Sequence, residues 1–301
     1  KFSGVTWAPD GRGFFYSRYA PPAEGKAFQS ANFNQKLYFH RLGTPQSDDV
    51  LVYSRPEHPE WSFSPEITED GRWMLISISA GAGPKRRIAV RDLRELYAQP
   101  IEIVDSFDQA MSFIGNDGST FFFRTDREAA RGRLVALDLK SPGAEHWKVV
   151  IPEAKETLTS IAFVGNVFIA NYLVDASTEI RIYKIDGTHL RNVELPGIGS
   201  AGGFAGKRHD TTTYYTFSSI ATPPSVYRYD LLTGKSELIR QPKIASDTSR
   251  YTVERVFYPS KDGTKIPMFL AYRKDLAKDG KNPTLLYGYG GFNISTTPTF
   301  S

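Results

Sequence analysis

The chain has 301 residues, of which 40% are apolar and 23% charged, and its formal net charge is +4. Such a composition supports a sizeable core and excludes a disordered chain. Basic residues are scattered, and the tightest cluster, residues 85–87, is interpreted as the solvated start of a strand, so we expect no nucleic-acid partner. We also expect no membrane partner, because no apolar run approaches the roughly 18 residues that a spanning helix needs.

Cysteine is absent from the chain, which excludes a disulfide framework, a thiol nucleophile and thiolate metal sites. The absence of cysteine suits a cytoplasmic protein and is also compatible with the periplasm. The chain begins at Lys1 without an initiator Met or a signal pattern and ends at Ser301 directly after a glycine-rich motif. We therefore expect a fragment of a longer protein.

Short alternating segments, many with aromatic residues, dominate the first 240 residues and predict strands. The aromatic segments are residues 14–16, 37–39, 121–123 and 214–215. Residues 91–99 are the main stretch with helical periodicity. The alternation of apolar and polar residues, together with frequent turn signals, indicates a β-sandwich, a β-barrel or a β-propeller.

An internal repeat favours the propeller. Turns of the Asp-Gly type recur before strong strands, and a Leu or Ile recurs after a strand at spacings of 51, 46, 46 and 46. The third repeat shows four strands, at residues 110–114, 120–125, 133–139 and 147–151. A period in the forties with four strands per repeat is typical of propeller blades. We predict a mainly β protein with about five blades in residues 1–243. The recurring apolar residues are Leu42, Leu93, Leu139, Ile185 and Leu231.

The first repeat contains a long loop, residues 20–35, with two prolines and a glycine. Loops of this length in compact repeats are usually functional or disordered. Two interpretations remain open: a floppy insertion, or a gate over a binding site.

The pattern changes near residue 243. A hairpin is predicted with strands at residues 251–258 and 265–272, followed by a charged loop and an apolar strand at residues 284–287. That strand leads into Gly288-Tyr289-Gly290-Gly291-Phe292, and a strand followed by a glycine-rich loop is a common active-site feature of α/β sheets. Tyr289 can donate its phenol to an oxyanion, and Phe292 can line a small apolar pocket.

Other motifs in the sequence give weaker indications of a functional site. Residues 197–202 match G-x-G-x-x-G, but a strand pattern follows them where a dinucleotide site needs a helix, so we interpret them as a connection between blades. None of the five histidines pairs with another at metal-ligand spacing. No G-x-S-x-G elbow occurs, so the chain holds no complete nucleophile–base–acid set. We expect no metal and no cofactor.

Two C-terminal segments, residues 257–269 and 286–295, resemble the start of the catalytic domain of the prolyl oligopeptidase family. The repeats resemble the family's propeller, including residues 35–40 and 147–152. The resemblance spans the chain and implies roughly the last five blades of a propeller of about seven, in residues 1–243, followed by the first strands of an α/β-hydrolase domain in residues 244–301. It implies a monomeric serine endopeptidase that cleaves short peptides after proline.

The resemblance also implies site residues. Tyr289 matches the oxyanion tyrosine, Phe292 an aromatic wall of the proline pocket, and Phe2 a propeller side chain that reaches the substrate. Ser62 and Ala82 depart from the family pattern near that site, where Met and Cys occur in relatives. The Ser-Asp-His triad falls outside the chain, so we expect the fragment to be inactive alone.

A second functional class stays open from the sequence, namely a catalytically silent propeller that binds peptides or proteins. The sequence after Ser301 would discriminate the two classes, because a G-x-S-x-G elbow followed by Asp and His identifies the peptidase.

Overall fold

Strands make up nearly all the regular structure of the chain, as predicted. The computed structural model describes residues 4–22, 25–26, 31–95, 97–292 and 294–301. Among them, helical structure is limited to three 3₁₀ turns, at Gln46–Asp48, Ala144–His146 and Thr248–Arg250. No helix in these ranges is long and apolar enough to cross a membrane. The chain divides into two units, Lys1–Pro152 and Glu153–Ser301.

The first unit contains three four-stranded antiparallel sheets, each built from strands that are consecutive in sequence. Sequential antiparallel pairing needs only short connections, which is why the turn signals of the sequence fall between strands. The strands are β1 Val5–Trp7, β2 Gly13–Arg18, β3 Lys36–Arg41, β4 Val50–Tyr53, β5 Trp61–Ile67, β6 Trp73–Ala80, β7 Arg87–Asp92, β8 Ile101–Val104, β9 Met111–Asp117, β10 Thr120–Thr125, β11 Arg133–Asp138 and β12 Lys148–Ile151.

The second unit contains two more four-stranded sheets of the same design and one two-stranded hairpin. The hairpin matches the predicted one to within a residue at each end. The strands are β13 Thr157–Val164, β14 Val167–Val174, β15 Ser177–Lys184, β16 His189–Asn192, β17 Ser200–Gly202, β18 Thr212–Ser219, β19 Thr222–Asp230, β20 Ser236–Arg240, β21 Tyr251–Pro259 and β22 Lys265–Arg273.

The repeat seen in the sequence corresponds to fixed positions in each sheet. The glycines of the Asp-Gly turns, Gly11, Gly71 and Gly118, have φ of 68°, 69° and 59° and connect the first strand to the second. A left-handed φ is readily accessible to glycine, which explains the recurring signal. The recurring Leu or Ile directly follows the third strand. In four of the sheets it donates its backbone N–H to the carbonyl of the residue before the second strand: Leu42 to Arg12, Leu93 to Arg72, Leu139 to Ser119 and Leu231 to Thr211.

Neighbouring sheets within a unit pack face to face through their apolar residues. In the first unit, Leu75 and Val90 of the second sheet pack with Phe121 and Phe123 of the third. In the second unit, Ile180 and Ile182 pack with Tyr215 and Phe217. The alternation of β-strands directs these side chains to one face, so the aromatic strands predicted from the sequence supply the cores.

Two sequence predictions are wrong. Residues 91–92 belong to strand β7, and no helix forms among the described residues of 91–99, because the β7 residues pair with β6. Residues 284–287 form no strand, and Leu285 and Leu286 are exposed. A strand needs a neighbour that satisfies its backbone groups, and no described strand lies beside this segment.

Candidate active-site loop and its surroundings

The glycine-rich loop at residues 288–292 lies in the second unit and is open to solvent. The side chain of Tyr289 is half-exposed and that of Phe292 is 90% exposed. A Cβ added to Gly288 or Gly290 would meet no atom within 4 Å, and neither glycine has a left-handed φ. Neither the φ angle nor close packing therefore requires glycine at these two positions. The left-handed residue is Phe292, with φ of 53°, a conformation that is uncommon for a bulky side chain.

Two groups of hydrogen bonds attach the flanks of this loop to the sheets of the second unit. Before the loop, Arg255 of β21 donates from Nη1 to the carbonyl of Val174 at 3.1 Å and to Ser177 Oγ at 2.9 Å. These acceptors border the β14–β15 turn, where Asp175 and Ala176 both have a left-handed φ.

After the loop, Ser200 Oγ donates to the carbonyl of Pro298 at 3.0 Å. The N–H of Phe300 donates to Ser218 Oγ at 3.1 Å. The β21–β22 hairpin that precedes the loop and the chain that follows the loop are thus each held by contacts within the second unit.

The first unit carries the other residues that the sequence singled out. Ser62 lies at the start of β5, where its Oγ is 2.7 Å from Ser79 Oγ of β6, so its hydroxyl is satisfied across the strand pair. Ala82 is exposed in the β6–β7 turn. Phe2 lies outside the described residues. Ser62 and Ala82 belong to the first unit, and Tyr289 and Phe292 belong to the second.

The long loop between β2 and β3 is attached at its base. The N–H of Ala20 donates to the carbonyl of Phe33 at 3.4 Å, and that of Asn34 to the carbonyl of Pro59 at 2.7 Å. Gln35 is buried and accepts a hydrogen bond from the N–H of Phe63 at 2.5 Å. Residues 23–24 and 27–30 of this loop lie outside the described residues, so the choice between gate and floppy insertion stays a prediction.

A charged network that sequence reasoning missed joins the first and second sheets. The carboxylate of Glu102 accepts two hydrogen bonds from Arg87, at 3.1 and 2.6 Å, and further bonds from Arg55 and the Tyr53 hydroxyl. Burial alone would raise the pKa of Glu102, but the hydrogen bonds from Arg87 and Arg55 outweigh it and lower the pKa. The charge positions in the sequence contain no signal for this pairing, because three different strand ends bring the groups together.

The basic cluster at residues 85–87 is only partly solvated, which corrects the sequence interpretation. Lys85 and Arg86 are exposed, and Arg86 donates to the carbonyl of Lys85 at 2.8 Å. Arg87 is instead largely buried beside Glu102, with its guanidinium carbon 5.1 Å from the ring centre of Trp61. A guanidinium over an indole face is attracted by the ring quadrupole, which adds to the ion pair.

The G-x-G-x-x-G segment is a connection into a sheet, as predicted. Its last residues form strand β17, which pairs with β18, and no described helix follows. A Cβ on Gly199 would lie 2.3 Å from the carbonyl oxygen of Ser218 and 2.6 Å from the ring of Phe217. The glycine is therefore required for close packing. In the described part of the chain, no group of three His, Asp or Glu residues is placed to hold a metal ion.

Sequentially paired four-stranded sheets, repeated about every 46 residues and packed face to face, define the class of β-propeller proteins. Residues 1–242 match the family described as prolyl oligopeptidase, N-terminal beta-propeller domain. The chain belongs to the prolyl oligopeptidase family.

Individual relatives agree with this assignment. A prolyl endopeptidase of Elizabethkingia meningoseptica is 41% identical over 301 residues, covering 100% of this chain and 42% of the relative. Prolyl oligopeptidase ophP of Omphalotus olearius is 33% identical over 310 residues, covering 100% of this chain and 42% of the relative. A similar solved structure is that of prolyl oligopeptidase B from Galerina marginata, bound to a 35mer hydrolysis and macrocyclization substrate. It is 30% identical with a TM-score of 0.86, and the match covers 100% of this chain and 43% of that one. The chain therefore spans less than half the length of these relatives.

Proposed function

We propose that this chain is part of a serine endopeptidase that cleaves short peptides on the carboxyl side of proline. The match of residues 1–242 to the propeller of this family carries the proposal. The peptide substrate bound by the Galerina marginata relative supports a peptide as the substrate here. The intact enzyme would work in the cytoplasm as a monomer.

Within that enzyme, residues 1–243 would form the propeller part and residues 244–301 the start of the catalytic domain. The change from four-stranded sheets to a lone hairpin at β21 supports this boundary. Leu285, Leu286 and Phe292 are exposed, and apolar side chains in series are unfavourable in water. Their exposure supports a role for this segment as a strand and loop that the catalytic domain would cover.

Tyr289 would donate its phenolic hydrogen to the oxyanion that forms on the scissile carbonyl, and Phe292 and Phe2 would contact the substrate. A donor fixed before the charge develops stabilises the transition state more than water that has to reorient. The β2–β3 loop would gate access to the site, and its attachment at Asn34 and Gln35 would act as the fixed base of the gate.

The proposed function is tested with the intact enzyme that contains this chain. We expect it to hydrolyse a succinyl-Gly-Pro chromogenic amide and to leave the matched Gly-Ala amide nearly untouched. Size-exclusion chromatography of the same sample checks the monomer. Absence of cleavage would reject the peptidase in favour of a silent peptide-binding propeller, and equal cleavage of both amides would reject the specificity for proline.

A further inference from the structure

The turn between β14 and β15 forms a socket that binds Arg255 of β21. Nη1 of Arg255 donates to the carbonyl of Val174 at 3.1 Å, to the carbonyl of Asp175 at 3.4 Å and to Ser177 Oγ at 2.9 Å. Ser177 Oγ in turn donates to the carbonyl of Val174 at 3.1 Å, so two of the acceptors also bind each other. Hydrogen bonds from a guanidinium are charge-assisted, so this contact is stronger than one between neutral groups.

The socket does not depend on Arg255 for its shape. Val174 pairs with Ser177 in the strand ladder, so Asp175 and Ala176 form a two-residue turn, and both have a left-handed φ, of 47° and 61°. Such a turn follows the twist of its strands, which fixes the directions of its carbonyl groups. Ser177 is 7% exposed, which restricts its hydroxyl as well. Arg255 can therefore leave the socket and return without refolding of the turn.

The hairpin that carries Arg255 is otherwise loosely packed on the sheets. Tyr251, Val253 and Arg255 lie on one face of β21, because side chains alternate along a strand. Tyr251 and Val253 border a cavity of about 400 Å³ that reaches Phe217. Arg255 borders a second cavity, of about 290 Å³, that reaches Leu195. None of the three β21 residues is buried, and a segment with few buried apolar contacts separates at low cost, so polar bonds rather than a shared core hold this face.

Arg255 contacts a different sheet from the one to which the chain on either side of the hairpin is attached. Residues 241–250 lead from β20 of the fifth sheet, β17–β20, into β21. The hydrogen bonds of Pro298 and Phe300 also go to strands of the fifth sheet. Arg255 instead binds the fourth sheet, β13–β16. A segment that is attached along one sheet and held on the next by a single side chain can turn about the attached side.

We propose that Arg255 and the β14–β15 turn form a latch that holds the catalytic domain closed on the propeller. Release of the latch would let the hairpin turn about the fifth sheet and open both cavities to solvent. A wider opening admits a long peptide, whereas a dipeptide-sized amide needs less space. This inference rests on the proposed function, which assigns residues 244–301 to the catalytic domain, and it adds a positioning residue that acts away from Tyr289.

The first test measures opening without any substrate. Amide hydrogen exchange of the intact enzyme is followed by mass spectrometry in the fragments that contain the β14–β15 turn and the start of β21. Arg255→Met keeps the side-chain stem and removes the donors. We expect it to speed exchange in both fragments about tenfold, as the loss of a charge-assisted hydrogen bond should. Arg255→Lys keeps the charge and a donor, so it should restore part of the slow exchange.

Two further variants separate a latch from a general loss of stability. Arg273→Met is the matched control, because Arg273 lies in the same hairpin but pairs with Asp275 of its own segment at 2.6 Å; it should leave exchange in the β14–β15 turn unchanged. Ser177→Ala removes one acceptor and should speed exchange less than Arg255→Met. Combining the two should add little to Arg255→Met alone, because both changes break the same contact.

The second test compares substrates of different size by steady-state kinetics. A long peptide with one central proline and a succinyl-Gly-Pro amide are measured with each variant. We expect Arg255→Met to raise kcat/KM for the long peptide at least about threefold and to leave that of the amide within about twofold of wild type.

The inference is overturned if hydrogen exchange is the same in Arg255→Met and wild type, or if Arg273→Met has an equal effect on the turn. It is also overturned if Arg255→Met changes kcat/KM equally for the two substrates. Absence of cleavage by the wild-type enzyme would count against the peptidase function alone, and hydrogen exchange would still decide the latch.

Discussion

Replacing Glu102 by Gln tests whether the buried ion network joins the first two sheets. The Glu102 side chain is 14% exposed and serves Arg55, Arg87 and the hydroxyl of Tyr53. Gln keeps the volume but removes the charge, so two guanidinium groups lose their carboxylate. We expect the first unit to be destabilised.

The magnitude follows from the exposure of the partners. Removing one member of a fully buried pair costs about 3–5 kcal/mol, because the other charge is left uncompensated. Arg55 and Arg87 are 35% and 22% exposed and recover part of their hydration. We therefore expect a loss of about 2–3 kcal/mol, which lowers the melting temperature by roughly 4–12 °C in a unit of this size.

The assay is thermal unfolding of the intact enzyme followed by tryptophan fluorescence, because Trp61 stacks on His58 and lies against Arg87. The pH dependence is a second readout. The pKa of Glu102 is lowered in the folded state, so its stabilisation is complete above its ordinary value of 4.5 and is lost as the pH falls through the folded pKa. The difference in melting temperature between wild type and E102Q should be full at neutral pH. It should shrink as the pH falls below 4.5, the ordinary pKa of a glutamate.

Glu57→Gln is the matched control. Glu57 pairs with the same Arg55 at 3.7 Å but is 56% exposed, so its loss should cost less than about 1 kcal/mol. The reasoning is refuted if E102Q and E57Q melt alike, or if the gap between E102Q and wild type does not change with pH.

In the intact enzyme, Tyr289→Phe should lower kcat by about 10²–10³ with little change in KM, as expected for loss of one oxyanion donor; steady-state kinetics within about threefold of wild type would contradict it. Deleting residues 23–32 should change kcat/KM for long peptides more than for dipeptide-sized amides, and equal effects would favour the floppy insertion. Arg255→Met should speed hydrogen exchange in β21 and β22, whereas unchanged rates would show that packing alone holds the hairpin. Residues 1–301 alone should cleave no prolyl amide above background, which a purified sample checks directly.

The local features of this fold could be predicted from the sequence. The aromatic run in β10, the Asp-Gly turns and the spacing of Leu93 and Leu139 all depend on strand alternation and on the φ preferences of single residues. Those properties act within a few residues, so the four-stranded repeat was recognisable without any tertiary information.

The prediction that failed and the interactions that were missed both depend on distant parts of the chain. Residues 284–287 have strand propensity, but a strand forms only beside a partner, and propensity does not supply one. Glu102 and Arg255 look like ordinary polar residues in the sequence. Their partners lie on other strands and turns, and only packing of the sheets brings them together. The candidate roles of Tyr289 and Phe292 came from the glycine-rich motif and from the family resemblance, and the structure leaves them as predictions.

The segment between the β21–β22 hairpin and the C-terminal contacts joins two attached parts of the chain, which has a consequence for how its length can vary. Arg255 holds the hairpin before this segment, and the contacts of Pro298 and Phe300 hold the chain after it. Closing a flexible segment between two fixed points costs entropy that grows only with the logarithm of its length, about 0.6 kcal/mol per doubling. Insertions in the charged stretch at residues 274–283 should therefore be tolerated, whereas releasing either anchor would free Tyr289 to sample a much larger volume.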